Sequence, residues 1–109
     1  MTTIRNNIFA SPAKLTDQEE FLTLFDNSAV TIERIVSHSQ SSRPGFWYDQ
    51  DEDEWVIVLR GAATLEFADG ELVEMKKGDY LTIPSHTKHR VTQTSPQTVW
   101  LAVHAVHVK

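Results

Sequence analysis

The sequence predicts an all-β domain, an antiparallel barrel or sandwich preceded by one short helix, and three observations predict it. The chain divides into short runs rich in Val, Ile, Thr and aromatic residues, the types that suit a pleated, half-buried surface. Clusters of Gly, Pro, Asn, Asp and Ser separate these runs at intervals of roughly eight to twelve residues, the spacing of sandwiches and barrels. Helix signals are confined to a single segment near the N-terminus.

That segment is Thr16 to Phe25, TDQEEFLTLF, where Thr16 and Glu19 have the spacing of a capping box and Phe21 to Leu24 supply a short apolar stripe. It is expected to form a brief helix within an N-terminal extension, residues 1–28, ahead of a barrel domain at 29–109. The expected strands are Val30 to Ser37, Phe46 to Asp49, Glu54 to Arg60, Ala62 to Phe67, Glu71 to Lys76, Tyr80 to Ile83, Lys88 to Thr94 and Thr98 to His107. Asp69-Gly70, lying between two alternating runs, is the signature of a two-residue hairpin turn with both central residues at positive φ. Ser41 to Gly45 and Thr94 to Gln97 read as loops. Gly61 and Gly78 fit strand-end turns that need a residue without a β-carbon.

Alternation along Glu54 to Arg60 puts Val56 and Val58 on one face and Trp55, Ile57 and Leu59 on the other. A strand apolar on both faces must be covered on both, by another sheet, by the N-terminal segment or by a second subunit, and a homodimer is the economical expectation.

Composition excludes several classes. Ten basic against fifteen acidic residues give a net charge of -5 with no Lys/Arg cluster, which removes the electrostatic term that dominates nucleic-acid binding and argues against an anionic membrane surface. No apolar stretch approaches the length of a membrane span, and the N-terminus has no apolar leader core, so a cytoplasmic protein is expected. The absence of cysteine rules out disulfides, thiolate metal sites and a cysteine nucleophile. There is no glycine-rich phosphate loop, no Gly-x-Ser-x-Gly elbow and no His-Glu-x-x-His helix.

Two stretches carry more than strand propensity. Glu54 is followed after six residues by Gly61, and Gly78 is followed after five residues by Pro84 and then by His89. These spacings resemble the two motifs of the cupin superfamily, in the order and separation of its small single-domain microbial members. The resemblance spans roughly Pro44 to Thr94 and implies a small antiparallel β-barrel, the double-stranded β-helix or jelly roll. It also implies a divalent metal or a small polar metabolite in the barrel and, for an enzyme, dioxygenase, isomerase or decarboxylase chemistry.

The sequence departs from the family pattern at the paired histidines of the first motif, which fall on Tyr48 and Gln50 with a three-residue spacer, or on Trp47 and Asp49 with a four-residue one. What remains is Gln50, Glu54 and His89 as a metal set of two oxygen donors and one imidazole, with Tyr48 as a reluctant fourth. Such a set suits Mn, Fe, Ni or Zn and holds it more weakly than three histidines would. Without metal, Glu54 in an apolar barrel becomes a candidate general acid or base with His89 as its partner. Each residue also has a plainer reading: Glu54 pins a turn, and His89 is a core imidazole.

Tyr48 is also a candidate for the pocket wall, with four more residues that each have a plainer reading: His38 as a surface-loop histidine, His86 as an exposed residue of the Pro84-Ser85 turn, His104 as a half-buried histidine bonded to backbone, and Trp100, like the other aromatic residues, as core. His107 is expected to be exposed. The expected partners are therefore a small-molecule ligand and a second copy of the chain, and the rival to the metal-binding reading is a metal-free, non-catalytic binding or structural dimer.

Overall fold

The structure is a computed structural model that describes residues 2–10 and 19–108. Its strands are β1 (Glu20–Asp26), β2 (Val30–Ser37), β3 (Asp53–Arg60), β4 (Ala62–Phe67), β5 (Leu72–Lys76), β6 (Tyr80–Ile83), β7 (His89–Thr94) and β8 (Thr98–Ala105). They form two antiparallel sheets facing each other, one ordered β1-β2-β8-β3-β6 and the other β5-β4-β7. This is the expected jelly-roll arrangement. Among the described residues no helix is long and apolar enough to cross a membrane.

Three expectations are corrected. Thr16, Asp17 and Gln18 lie outside the described residues, Glu19 is irregular, and Glu20 to Phe25 of the expected helix belong to strand β1, which pairs with β2 at Phe21↔Ile35 and Leu22↔Arg34. Edge pairing explains the switch. Alternation turns Phe21 inward and Leu22 outward, and a bulge between Thr23 and Phe25 returns Phe25 to the outer face, so one short apolar run serves both sides of a sheet.

Phe46 to Asp49 is not a strand: it carries a single bridge, Tyr48↔His89, in a segment that lies across the barrel. The Asp69-Gly70 turn is a three-residue loop, in which Gly70 N–H donates to Phe67 O and Phe67 N–H to Glu71 O, each at 2.9 Å. Gly70 alone has positive φ, +92°, so the pair needs one left-handed residue rather than two.

Between the sheets, the core runs from filled to open. Val58 and Met75 are 0% and 1% exposed and, with Ala63, Leu65, Ile83, Trp100 and Ala102, close one half of the barrel. Along the inner face of β3 the order is Val58, Val56, Glu54, so the strand passes from packed core to polar wall in two steps. Gly61 seals the packed end: at φ +84° a β-carbon there would lie 2.7 Å from both Ser95 Oγ and Thr98 Oγ1 and 3.0 Å from Thr98 Cα.

A bulge in β7 decides what faces the other half. Ala63 pairs with Thr94, yet Leu65 pairs with Val91, which leaves Thr92 as the extra residue. Were Thr92 paired in a regular ladder, Phe67 would stand opposite Arg90; because the bulge leaves Thr92 out, His89 takes that inward position, and Arg90 turns outward to meet Glu66 at 2.7 Å.

Candidate functional site

The open half of the barrel holds a cavity of about 280 Å³, at the small end of ligand-binding cavities. Its floor is built from both sheets. Glu54 comes from β3, His104 from the facing position on β8, and Glu33 from β2, while His89 reaches in from β7. Gln50 and Tyr48 arrive on the segment crossing the mouth, and Trp100 stands below them on β8.

His89 is the best-fixed member, with its side chain 6% exposed. Its Nδ1–H donates to the Thr87 carbonyl at 2.8 Å, which directs Nε2 toward Glu54 Oε1, 3.6 Å away. That separation is an ion-pair contact longer than a hydrogen bond. Oε1 of Glu54 is buried and has no hydrogen-bond partner among the described residues, as is Nδ1 of His104. Burial pulls the His89 pKa down, but the attraction of Glu54 together with the Thr87 carbonyl outweighs it and holds the imidazole above its ordinary value.

Tyr48 lies against His89 with ring centroids 5.3 Å apart and planes within 22°, and the two backbones exchange hydrogen bonds of 2.7 and 3.1 Å. Its phenol is raised, first by burial and then by the charges of Glu19, Glu54 and Glu33. Beside it, Trp100 Nε1 donates to Ser37 Oγ at 3.1 Å, and that hydroxyl in turn donates to Glu19 Oε2. Glu33 Oε1 and His104 Nε2 stand 4.0 Å apart.

The structure thus brings together six of the residues singled out from sequence: Tyr48, Gln50, Glu54, His89, Trp100 and His104. His38 and His86 do not line the cavity. His38 is half-buried and donates from Nε2 to Glu20 at 3.1 Å. His86, at φ +57°, is exposed on the rim, where Nδ1 meets Asp49 at 2.7 Å and Nε2 meets Asp51 at 3.0 Å. His107 is exposed beside Asp53 at 3.1 Å.

Glu19 and Glu33 were missed, for an identifiable reason. In Val30–Ser37 the more apolar alternation is Val30, Ile32 and Val36, which suggests an inward face, whereas the register puts Glu33 and Ile35 inward against Ala102 and Trp100. An inward polar wall reads in sequence like a solvent face.

Among the described residues no three His, Asp or Glu side chains are placed to hold a metal ion together. A metal here would rely on the neutral amide of Gln50 beside Glu54 and His89.

The family model described as "Cupin domain" matches residues 32–104. A protein of Ralstonia eutropha JMP134, named a "putative mannose-6-phosphate isomerase", is 42% identical, with a TM-score of 0.89 over 96% of this chain and 100% of its own. A cupin superfamily protein of Desulfitobacterium hafniense DCB-2 aligns over 97% of this chain and 94% of its own with a TM-score of 0.79 at 18% identity. KdgF of Halomonas sp. aligns over 87% and 86% with a TM-score of 0.71 at 15% identity, a likeness of fold alone. No curated protein matches the sequence significantly.

Proposed function

The chain belongs to the cupin family, and from that premise we propose that its barrel binds a small polar molecule against the Glu54–His89 pair. The observation that carries the reading is Glu54 Oε1, a buried acceptor on the cavity wall with no hydrogen-bond partner among the described residues, 3.6 Å from a histidine whose other nitrogen is already committed. A buried acceptor left unmade costs about 1–3 kcal/mol, which a hydroxyl or N–H of a guest relieves.

The same pair is equipped to hold and move one proton, the requirement of an isomerase that shifts hydrogen between neighbouring carbons. The name of the Ralstonia relative makes that the first reaction class to assay. A thermal-shift screen of polyols, hydroxy acids and amino alcohols tests the binding reading. Ligands that raise the melting temperature of the native protein and not of Glu54→Gln support it; equal shifts in both proteins remove Glu54 from the site.

A second reading has its own observation. The Thr87 carbonyl fixes the His89 tautomer with Nε2 open, as the outer-shell partners of metal-bound imidazoles do. Gln50, Glu54 and His89 would then hold a divalent ion such as Mn, Fe, Ni or Zn, loosely, and the ion would polarise an oxygen of the guest. Elemental analysis of protein purified without chelator, beside Gln50→Ala, Glu54→Ala and His89→Ala, tests it: near-stoichiometric metal that falls in the variants supports the site, and metal-free native protein removes it.

The chain is further proposed to be a homodimer. The outer face of the five-stranded sheet presents Leu22, Phe25, Ile32, Trp55, Ile57, Tyr80, Leu101 and Val103 in one apolar field, with Phe25 53% and Tyr80 65% exposed. Residues 2–10, the described part of the segment ahead of Glu19, reach one end of this face, where Arg34 donates to Ala10 O at 2.9 Å and Arg60 lies over the Phe9 ring at 4.7 Å.

A further inference from the structure

We infer that the barrel cavity selects a small polyol or alcohol carrying an amine and rejects its phosphorylated counterpart. The inference rests on the reading that the cavity binds a small polar molecule, and it concerns the charge that molecule carries.

Among the described residues three carboxylates border the cavity, Glu19, Glu33 and Glu54, against one guanidinium, Arg43, which is exposed on the segment over the mouth. Two histidines complete the ionisable set, and each faces a carboxylate: His89 faces Glu54 at 3.6 Å and His104 faces Glu33 at 4.0 Å. If both imidazoles are protonated, each is matched by its own carboxylate, and Glu19 is left against Arg43. If both are neutral, the carboxylates exceed the guanidinium by two. In neither state does the wall hold surplus positive charge for a dianion.

Tyr48 stands in the field of the same three carboxylates. Its phenol resists ionisation because of burial first and then because Glu19, Glu54 and Glu33 all repel a phenolate. An anionic group on a guest beside Tyr48 would meet the same repulsion, and an ammonium would be attracted.

The uncharged part of the wall points the same way. Phe21, Phe46, Tyr48 and Trp100 present aromatic rings to the cavity, and ring faces attract an ammonium. Phosphate is usually held by clustered arginines, a helix N-terminus or a glycine-rich loop. Among the described residues the cavity has Arg43 and none of the others.

A series on one three-carbon backbone varies charge, with its neutral and cationic members matched in size: glycerol, 3-amino-1,2-propanediol and glycerol 3-phosphate, titrated into the native protein at pH 7.5 and low salt with saturation-transfer NMR as readout. The expected result is an amine affinity about tenfold or more above that of glycerol and no measurable transfer to the phosphate, with Glu33→Gln narrowing the amine-to-glycerol ratio. Binding of the phosphate at least as tight as that of the amine, or equal binding of all three, overturns the charge inference and leaves the cavity as a binding site. No transfer to any of the three overturns both the inference and the reading on which it rests.

Discussion

His89 owes its place to three separate contacts: the Thr87 carbonyl on Nδ1, the Tyr48 ring against its face, and Glu54 opposite Nε2. Removing it with His89→Ala leaves the Glu54 carboxylate buried with nothing opposite it, and a stability loss of about 1–3 kcal/mol is expected in urea unfolding. Gly61→Ala makes a contrasting test at the packed end, because positive φ and contact with Thr98 backbone leave no room for a methyl group. A loss of about 1–3 kcal/mol is expected there as well, without effect on ligand affinity. Glu54 and His89 were legible in the sequence because each sits at a fixed spacing from a glycine or proline that the turns themselves require. Glu19 and Glu33 were not, since nothing local tells an inward carboxylate on a cavity wall from an outward one in water.

At the scale of elements, the segment from Tyr48 to Asp53 is held over the barrel by the turn after β6. His86 N–H donates to Gln50 O at 2.7 Å, Ser85 N–H donates to Asp53 Oδ1 at 2.8 Å, and the His86 ring spans Asp49 and Asp51. Both ring nitrogens face carboxylates, so only the imidazolium can donate to both. The hydrogen bond to Asp49 raises the His86 pKa above its ordinary value; burial opposes it, and the charges of Asp49 and Asp51 add to the rise. A raised folded-state value means the latch is complete below about pH 6.5, the unfolded value, and is lost as pH rises through the folded one. Amide exchange in residues 49–51 should therefore quicken across that window in the native protein and show no such step in His86→Ala; a step of equal size in the variant would remove His86 as its cause.

The bulge at Thr92 has a larger effect. An unbroken ladder running on from Ala63↔Thr94 would pair Phe67 with Arg90 and bury the Arg90 guanidinium, whereas the bulge takes up Thr92 and keeps Val91 and His89 inward with Arg90 outward against Glu66. Bulges of this kind leave no mark in composition, which is why the sequence locates strand β7 but not the face its residues take. The N-terminal segment was misread for a related reason: TDQEEFLTLF satisfies a local helix pattern, yet Glu20–Asp26 gains a full ladder with β2 that an isolated short helix cannot match. Val30–Ser37, Ala62–Phe67 and Tyr80–Ile83 were legible to the residue, since their ends are set by turn chemistry that tertiary structure does not override.

For the whole molecule, two surfaces of opposite character matter: an acidic, partly aromatic cavity inside and an apolar field outside the five-stranded sheet. The outer field predicts that Trp55→Glu converts a dimer to monomer or aggregate in light scattering, since the variant would place a charge at an apolar contact; an unchanged dimer mass would remove this face as the interface. The inner one is tested through the three tryptophans, which the fold distributes to three places. Trp100 lines the cavity, Trp55 stands on the outer face beside Tyr80 at 5.5 Å, and Trp47 lies against Arg90 at 5.2 Å outside the barrel. The most direct measurement is the indole N–H region of a ¹H–¹⁵N spectrum during titration with glycerol and with 3-amino-1,2-propanediol. A guest in the barrel moves the Trp100 resonance, whose N–H is tied through Ser37 to Glu19, and leaves Trp55 and Trp47 in place. Movement of Trp55 or Trp47 with Trp100 unchanged would contradict a ligand site between the sheets.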